Sequence, residues 1–99
     1  MPKSVVAFVK VKEGQEVLFE EAALQLVEAV ATNEPGCLLY TLNKGSEQLT
    51  YVFMERYQDE AAVAAHQGSD HMKTLGRQMG AFIDGRPDII YMEELGESG

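Results

Sequence analysis

The spacing of apolar residues changes along this chain, and that change is what most narrows the folds it can adopt. Residues 4–12 alternate between apolar and polar side chains, which predicts a strand with one buried face. Residues 15–33 instead place apolar side chains three or four positions apart, which predicts an amphipathic helix. Its buried stripe should consist of Phe19, Ala22, Ala23, Leu26 and Val30. The stretch "NEPG" ends the helix, because proline cannot continue the hydrogen-bond ladder.

Two strand-like segments follow, and then a broken helix. Residues 37–43 and 49–57 are rich in β-branched and aromatic side chains, and the polar "KGSEQ" between them predicts a hairpin. Asp59 is suited to cap a helix over "EAAVAAHQ", which Gly68 should end. Ser69 or Asp70 can cap the next helix, whose apolar face should comprise Met72, Leu75, Met79, Phe82 and Ile83.

The last strand is predicted at residues 89–95, which completes a β-α-β-β-α-β order. That order indicates an α+β, ferredoxin-like fold, in which helices cover one face of an antiparallel sheet. We expect a single domain over residues 1–99, with an ordered core at 4–95 and a frayed tail at 96–99. The other face of the sheet has its own apolar residues and no further element to cover it, so we expect a homodimer.

Charge and composition exclude several partners. The formal net charge of −8 and the absence of a Lys/Arg cluster argue against binding to nucleic acid or to an anionic membrane. No apolar run approaches the ~20 residues of a membrane span, and no signal peptide is visible. The single cysteine, Cys37, fits a reducing compartment, so the expected location is the cytoplasm. No flavin, nicotinamide or haem motif is present, and we expect no cofactor.

The stretch "AAHQGSDHMK" holds the only two histidines, His66 and His71. His66 shares a helical stripe with Ala62 and Val63, so it should point toward the sheet. It could be a hydrogen-bonded core residue, but the alanines around it should leave room for a ligand that its imidazole could deprotonate. His71 should be a surface residue or a polar contact at the mouth of that space. The spacing of the two does not match helical metal ligands, so no metal site is expected.

Glu55 should share a strand face with Tyr51 and Phe53. If that face meets the helices, the Glu55 carboxylate could fix the tautomer of His66 or share its proton. The alternative is an ion pair with Arg56 or Arg86 at an exposed strand end. Tyr40, Tyr51 and Phe53 are candidate contacts for a flat aromatic ring.

The stretches "NEPGCLLY" and "YVFMERYQDEAAVAAHQGSDHMK", with this order of elements, resemble the antibiotic biosynthesis monooxygenase family. These small dimeric α/β-barrel proteins include quinol monooxygenases. The positions that match best are Glu55, Asp59, Glu60, Ala65, His66, Ser69 and His71. The haem-degrading branch of the same fold uses a first-strand asparagine, a tryptophan and a later histidine, all absent here, so haem degradation is disfavoured.

The resemblance implies a monooxygenase that oxidises an electron-rich, quinol-type aromatic with O₂ and draws electrons from the substrate itself. His66 and Glu55 would be catalytic, and His71, Tyr40, Tyr51 and Phe53 would bind the substrate. Two alternatives remain open. One is an isomerase for a small carbonyl or sugar-phosphate substrate, with Arg56, Arg77 or Arg86 as the cationic contact. The other is a non-catalytic dimer that binds a small aromatic molecule.

Overall fold

A computed structural model describes residues 1–98. It contains four strands, β1 (Lys3–Lys10), β2 (Cys37–Lys44), β3 (Thr50–Tyr57) and β4 (Asp88–Glu93). The helices are α1 (Glu16–Asn33), α2 (Glu60–Gln67) and α3 (Asp70–Gly80). The sheet order is β2-β3-β1-β4, and every neighbouring pair is antiparallel. This confirms the predicted α+β, ferredoxin-like fold.

The core lies between α1 and the helix-facing side of the sheet. All five residues of the predicted α1 stripe are buried, each at most 5% exposed. They pack with alternate residues of β1 and β3, because successive strand side chains point to opposite faces. The Phe19 ring lies against Tyr51 with ring centroids 4.9 Å apart. The residues that alternate along β1 and β3 therefore pack against the apolar stripe of α1 in one core layer.

Three predicted boundaries are wrong by more than one residue. β4 ends at Glu93 rather than residue 95, and the other two boundaries lie together near the end of β1. β1 ends at Lys10 rather than residue 12, and Val11 forms an isolated bridge with Ile83. α3 ends at Gly80, so Phe82 and Ile83 are not on its apolar face as predicted. They lie in the following turn, where the Lys12 N–H donates to the Phe82 carbonyl at 2.9 Å. Pairing with the end of β1 thus replaces the last helical turn.

Residues 1–98 leave the opposite face of the sheet uncovered. Its exposed apolar side chains come from all four strands, and we call them the open sheet face: Phe8, Leu39, Met54, Ile90 and Met92. Each is 41–47% exposed. A surface of this kind, with large apolar residues side by side, is typical of an interaction site.

The chain after β4 is attached by ion pairs. The Arg56 guanidinium donates to both oxygens of Glu94, at 2.7 and 2.8 Å, and to Glu97 at 2.7 Å. The predicted frayed tail, 96–99, extends one residue beyond the described range. Across residues 1–98, no helix combines the length and apolar character that crossing a membrane would require.

We expect Leu26→Ala to lower the free energy of unfolding by about 2–5 kcal/mol, because it leaves a cavity at a fully buried position. Leu24→Ala is the matched control on the same helix, since Leu24 is 54% exposed and should change stability by less than about 0.5 kcal/mol. Urea unfolding at one fixed protein concentration measures both. Equal losses in the two variants would contradict the placement of the core.

Candidate functional site

The break between α2 and α3 sets the positions of the two histidines. Asp59 caps α2 as predicted, accepting the Ala62 N–H at 2.9 Å. Ser69 is the cap of α3, and its hydroxyl accepts the Met72 N–H at 3.2 Å. The same hydroxyl donates to the His66 carbonyl at 2.7 Å. This serine therefore fixes the turn that separates His66 from His71.

Both imidazoles contact one carboxylate, that of Glu34. The Nδ1 atom of His66 lies 2.9 Å from Oε2 of Glu34 and 3.1 Å from Oε1. The Nε2 atom of His71 contacts the same Oε2. The three side chains are 7–14% exposed, so the contacts are shielded from bulk water. Glu34 was not predicted as a functional residue.

Glu34 reaches the two histidines because the loop after α1 packs closely against α2. It follows the last turn of α1, where its N–H donates to the Val30 carbonyl at 3.0 Å. Two residues later, Gly36 passes so close to α2 that an added Cβ would lie 2.8 Å from the Ala62 Cβ. The Gly36 carbonyl also accepts the Gln58 N–H at 2.9 Å. Only glycine permits this approach, which seats the loop against α2.

The Glu34 contact determines how His66 can act. A carboxylate accepts hydrogen bonds, so the contact favours the tautomer with its proton on Nδ1. The other ring nitrogen, Nε2, makes no hydrogen bond to residues 1–98 and retains a lone pair in that tautomer. The ring lies between Tyr40 and Tyr57, with centroid distances of 5.1 and 5.5 Å. Carboxylate and imidazole thus form a pair in which Nε2 is the basic atom.

A cavity of about 260 Å³ lies beside this imidazole. Its walls are mostly apolar and come from all four strands, α2 and α3. Tyr40, Phe53, Glu55 and His66 all line it. The alanines of α2 do not create the space, contrary to expectation: Ala61, Ala64 and Ala65 are exposed, and Ala62 packs against Val5 and Tyr57.

Glu55 lies in the cavity wall with a different partner from the ones predicted. The Tyr57 hydroxyl donates to its Oε1 at 2.6 Å, and Glu55 is 9% exposed. Burial raises the pKa of the Glu55 carboxyl, although Tyr57 and His66 partly oppose that shift. Burial likewise raises the pKa values of the Tyr57 and Tyr40 hydroxyls, with the nearby carboxylates adding to the effect.

Two predictions for Glu55 differ from its observed contacts. Arg56 pairs with Glu94 and Glu97, because its side chain projects from the opposite face of β3. The carboxylate that hydrogen-bonds His66 is Glu34 rather than Glu55. Glu55 is therefore a polar group of the cavity wall and does not fix the His66 tautomer by a direct bond.

The remaining candidate residues, Tyr51 and His71, are not among the residues that line the cavity. Tyr51 is buried under α1, and its hydroxyl contacts the Glu20 carboxylate. Burial, followed by that contact, raises the pKa of Tyr51 to about 12. His71 lies on the far side of Glu34. Tyr91 does line the cavity, and its hydroxyl accepts a hydrogen bond from Gln67 at 3.0 Å.

The family of this chain follows from comparison with known sequences. Residues 2–78 match the model of the antibiotic biosynthesis monooxygenase family. The chain belongs to that family. The matched region contains Glu34, Glu55 and both histidines. No curated protein matches the chain.

Solved structures of the same fold support the assignment. A protein of Caulobacter crescentus CB15, provisionally called an antibiotic biosynthesis monooxygenase, is 35% identical with a TM-score of 0.93. That match covers 96% of this chain and 91% of the other. Another structure titled an antibiotic biosynthesis monooxygenase is 26% identical, with a TM-score of 0.86, and covers 97% of this chain and all of its own. A protein from Nitrosomonas europaea shares the fold at 19% identity, with a TM-score of 0.91 and coverages of 99% and 94%.

The raised pKa of Glu55 predicts a pH dependence of stability. Because the folded protein holds this proton more tightly than the unfolded chain, the associated stabilisation is complete below the ordinary pKa of 4.5. It is lost as the pH rises through the higher folded pKa. Glu55→Gln removes that loss, so we expect the variant to gain stability relative to the original protein as the pH rises above about 4.5.

Urea unfolding across this pH range measures the difference between the two proteins. Glu28→Gln, which removes an exposed carboxylate from α1, is the control and should give a nearly constant difference. A Glu55→Gln difference that is equally flat, or that runs in the opposite direction, would contradict the raised pKa.

Proposed function

We propose that this protein is a cofactor-independent monooxygenase that oxidises an electron-rich, quinol-type aromatic molecule with O₂. One observation carries the proposal: His66, held at Nδ1 by a buried carboxylate, borders an apolar cavity with its Nε2 free of protein partners. A base of this kind suits the removal of a phenolic proton. Membership of the antibiotic biosynthesis monooxygenase family supports the same reaction class.

The cavity favours a flat aromatic substrate. Its volume of about 260 Å³ exceeds the roughly 150 Å³ of an apolar protein cavity that admits benzene, so one or two fused rings can fit. Tyr40 and Phe53 supply aromatic walls, and their ring centroids lie 5.6 Å apart. No Lys or Arg in residues 1–98 lines the cavity, which disfavours a phosphorylated sugar and hence the isomerase alternative.

The chemistry then proceeds without an added reductant. His66 Nε2 removes the phenolic proton, and the electron-rich phenolate transfers one electron to O₂. The two radicals combine at a ring carbon that bears hydrogen and form a C–O bond. The peroxide oxygen takes the phenolic proton back from His66, which can then accept the proton of that ring carbon. Loss of this ring proton breaks the O–O bond, and the departing hydroxide takes up one proton, giving a quinone and one water. The substrate supplies all four electrons, and each product receives one oxygen atom.

The protein groups around the ring have separate roles in this scheme. Glu34 holds His66 in the productive tautomer and stabilises the imidazolium that forms when the proton arrives. Glu55 retains its proton to a higher pH than an ordinary glutamate and can donate it to the departing oxygen. The apolar walls keep water from the radical pair.

We propose further that the protein is a homodimer formed through the open sheet face. Five large apolar side chains lie on that face, and no element within the described part of the chain covers it. A second copy related by a two-fold axis would cover it with the same residues, because such an interface is self-complementary. A small chain also gains buried apolar area in this way.

Oxygen consumption tests the reaction. With a panel of hydroquinones and polyphenols, we expect His66→Ala to reduce the enzyme-dependent rate by about 100-fold or more, since general bases contribute roughly that amount. Glu34→Gln should reduce kcat because the orienting charge is lost, and Glu28→Gln should have no effect. Equal rates for the original protein and His66→Ala would overturn the mechanism.

Two other results would replace this function with an alternative. Turnover of a carbonyl sugar without oxygen consumption would identify an isomerase. A thermal shift with aromatic ligands, but no product after prolonged incubation, would identify a binding protein. Either result would overturn the oxygenase proposal.

Sedimentation equilibrium tests the dimer. We expect twice the monomer mass for the original protein. Met54→Glu should weaken association at least about 30-fold, because it places an unpaired charge in the interface. Leu24→Glu is the matched control, since Leu24 is a similarly exposed apolar residue on α1, away from the sheet. A monomer, or equal effects of the two substitutions, would contradict this interface.

A further inference from the structure

Three metal-binding side chains converge at the break between α2 and α3. Glu34, His66 and His71 each present one ligand atom, and these atoms lie within 4.8 Å of one another. They come from the loop after α1, from α2 and from the first turn of α3. Both histidines of the chain are used. No metal site was expected, because the spacing of the two histidines does not match ligands on one helix, and Glu34 lies 32 positions before His66.

We propose that Glu34, His66 and His71 bind one divalent transition-metal ion, with His66 Nδ1, His71 Nε2 and a Glu34 oxygen as ligands. Two imidazoles and a carboxylate are a ligand set that Zn²⁺ and related ions accept, with a fourth position open to water. This site goes beyond the oxygenase reaction proposed above, which derives no step from a metal. It lies on the side of His66 that faces away from the cavity.

The required rearrangement is small. Ligand atoms about 2.0–2.1 Å from a tetrahedral ion lie roughly 3.3–3.4 Å from one another. The Nδ1 atom of His66 is now 2.9 Å from Oε2 of Glu34, so this pair needs to separate by about half an ångström. The Nε2 atom of His71 lies closer to the same oxygen and needs to move further from it.

A second, more polar groove gives access to the site. It measures about 310 Å³, opens to solvent, and is lined by Glu34 and His71 together with Cys37 and Ser69. The apolar cavity on the other side includes neither Glu34 nor His71. An ion can therefore arrive through the groove with its water ligand while the cavity stays free for an aromatic molecule.

Charge also favours a cation here. The Glu34 side chain is 7% exposed, and burying a carboxylate is costly unless an opposite charge or strong donors compensate it. A divalent ion supplies that compensation more strongly than two neutral N–H groups. The formal net charge of −8 adds a favourable field at longer range.

Metal binding would change the hydrogen-bonding role of the His66 Nε2 atom at the cavity. A metal at Nδ1 requires the lone pair there, so the neutral ring carries its proton on Nε2 instead. Nε2 then donates a hydrogen bond and no longer accepts a proton. This consequence for catalysis rests on the proposed function, whereas the site itself does not.

The test uses tag-free protein, because a polyhistidine tag would bind the same ions. Zn²⁺ titration by calorimetry should give one site with a Kd below about 10 μM, typical of a three-ligand protein site, and Glu34→Gln, His66→Ala and His71→Ala should each weaken it about 100-fold. Glu28→Gln should leave the affinity unchanged. Circular dichroism of each variant checks that it remains folded.

A second measurement keeps the result independent of both the variants and activity. X-ray absorption at the zinc edge should show two imidazoles in the coordination shell, and long-range ¹H–¹⁵N spectra should show the His66 proton moving to Nε2. Absence of binding, ligand variants that bind Zn²⁺ as tightly as the original protein, or loss of affinity in Glu28→Gln would overturn the site. Oxygen uptake that fails while Zn²⁺ still binds would reject the proposed function alone.

Discussion

The carboxylate of Glu34, buried between two imidazoles, is the interaction that the rest of this site depends on. A charge so far from water is tolerated only where donors compensate it, and here both donors are side chains from the broken helix. The contact is possible because Gly36 lets the loop pass Ala62 at van der Waals distance. The Glu34 carboxylate therefore connects α2 and α3 to the loop that follows α1. The absence of a side chain at Gly36 lets that loop lie close enough for the contact.

The same contact divides the space around His66 into two chemically different regions. On one side lies an apolar cavity with aromatic walls, and on the other a more polar groove that reaches Glu34 and His71. The imidazole ring forms part of the boundary. One edge of the ring is committed to the carboxylate, which leaves the other edge for a ligand. A proton relay or a metal ion would each use this division. They differ in what occupies the Nδ1 side, and therefore in whether Nε2 accepts a proton or donates a hydrogen bond.

Local patterns account for what the sequence could predict. The α1 stripe and the faces of β1 and β3 repeat at the helical and strand periods, so a short window of sequence contains them. Glu34 was missed because "NEPG" serves as a helix stop when considered alone, and its partners are 32 and 37 positions away. The alternation of side chains along a strand correctly placed Tyr51, Phe53 and Glu55 on one face of β3. It could not show that Tyr51 lies under α1 while Glu55 lies near α2, because position along the strand depends on how the helices pack.

The two faces of β4 connect the cavity with the open sheet face. Ile89 and Tyr91 line the cavity, whereas Ile90 and Met92 belong to the open sheet face, because successive residues alternate between sides. β4 is an edge strand that pairs only with β1, and all six of its residues are exposed. A second copy packed against Ile90 and Met92 would restrict the movement of β4 through contacts on the open sheet face. In the dimer proposed above, it would thereby fix the wall formed by Ile89 and Tyr91, so that assembly would also stabilise the shape of the cavity.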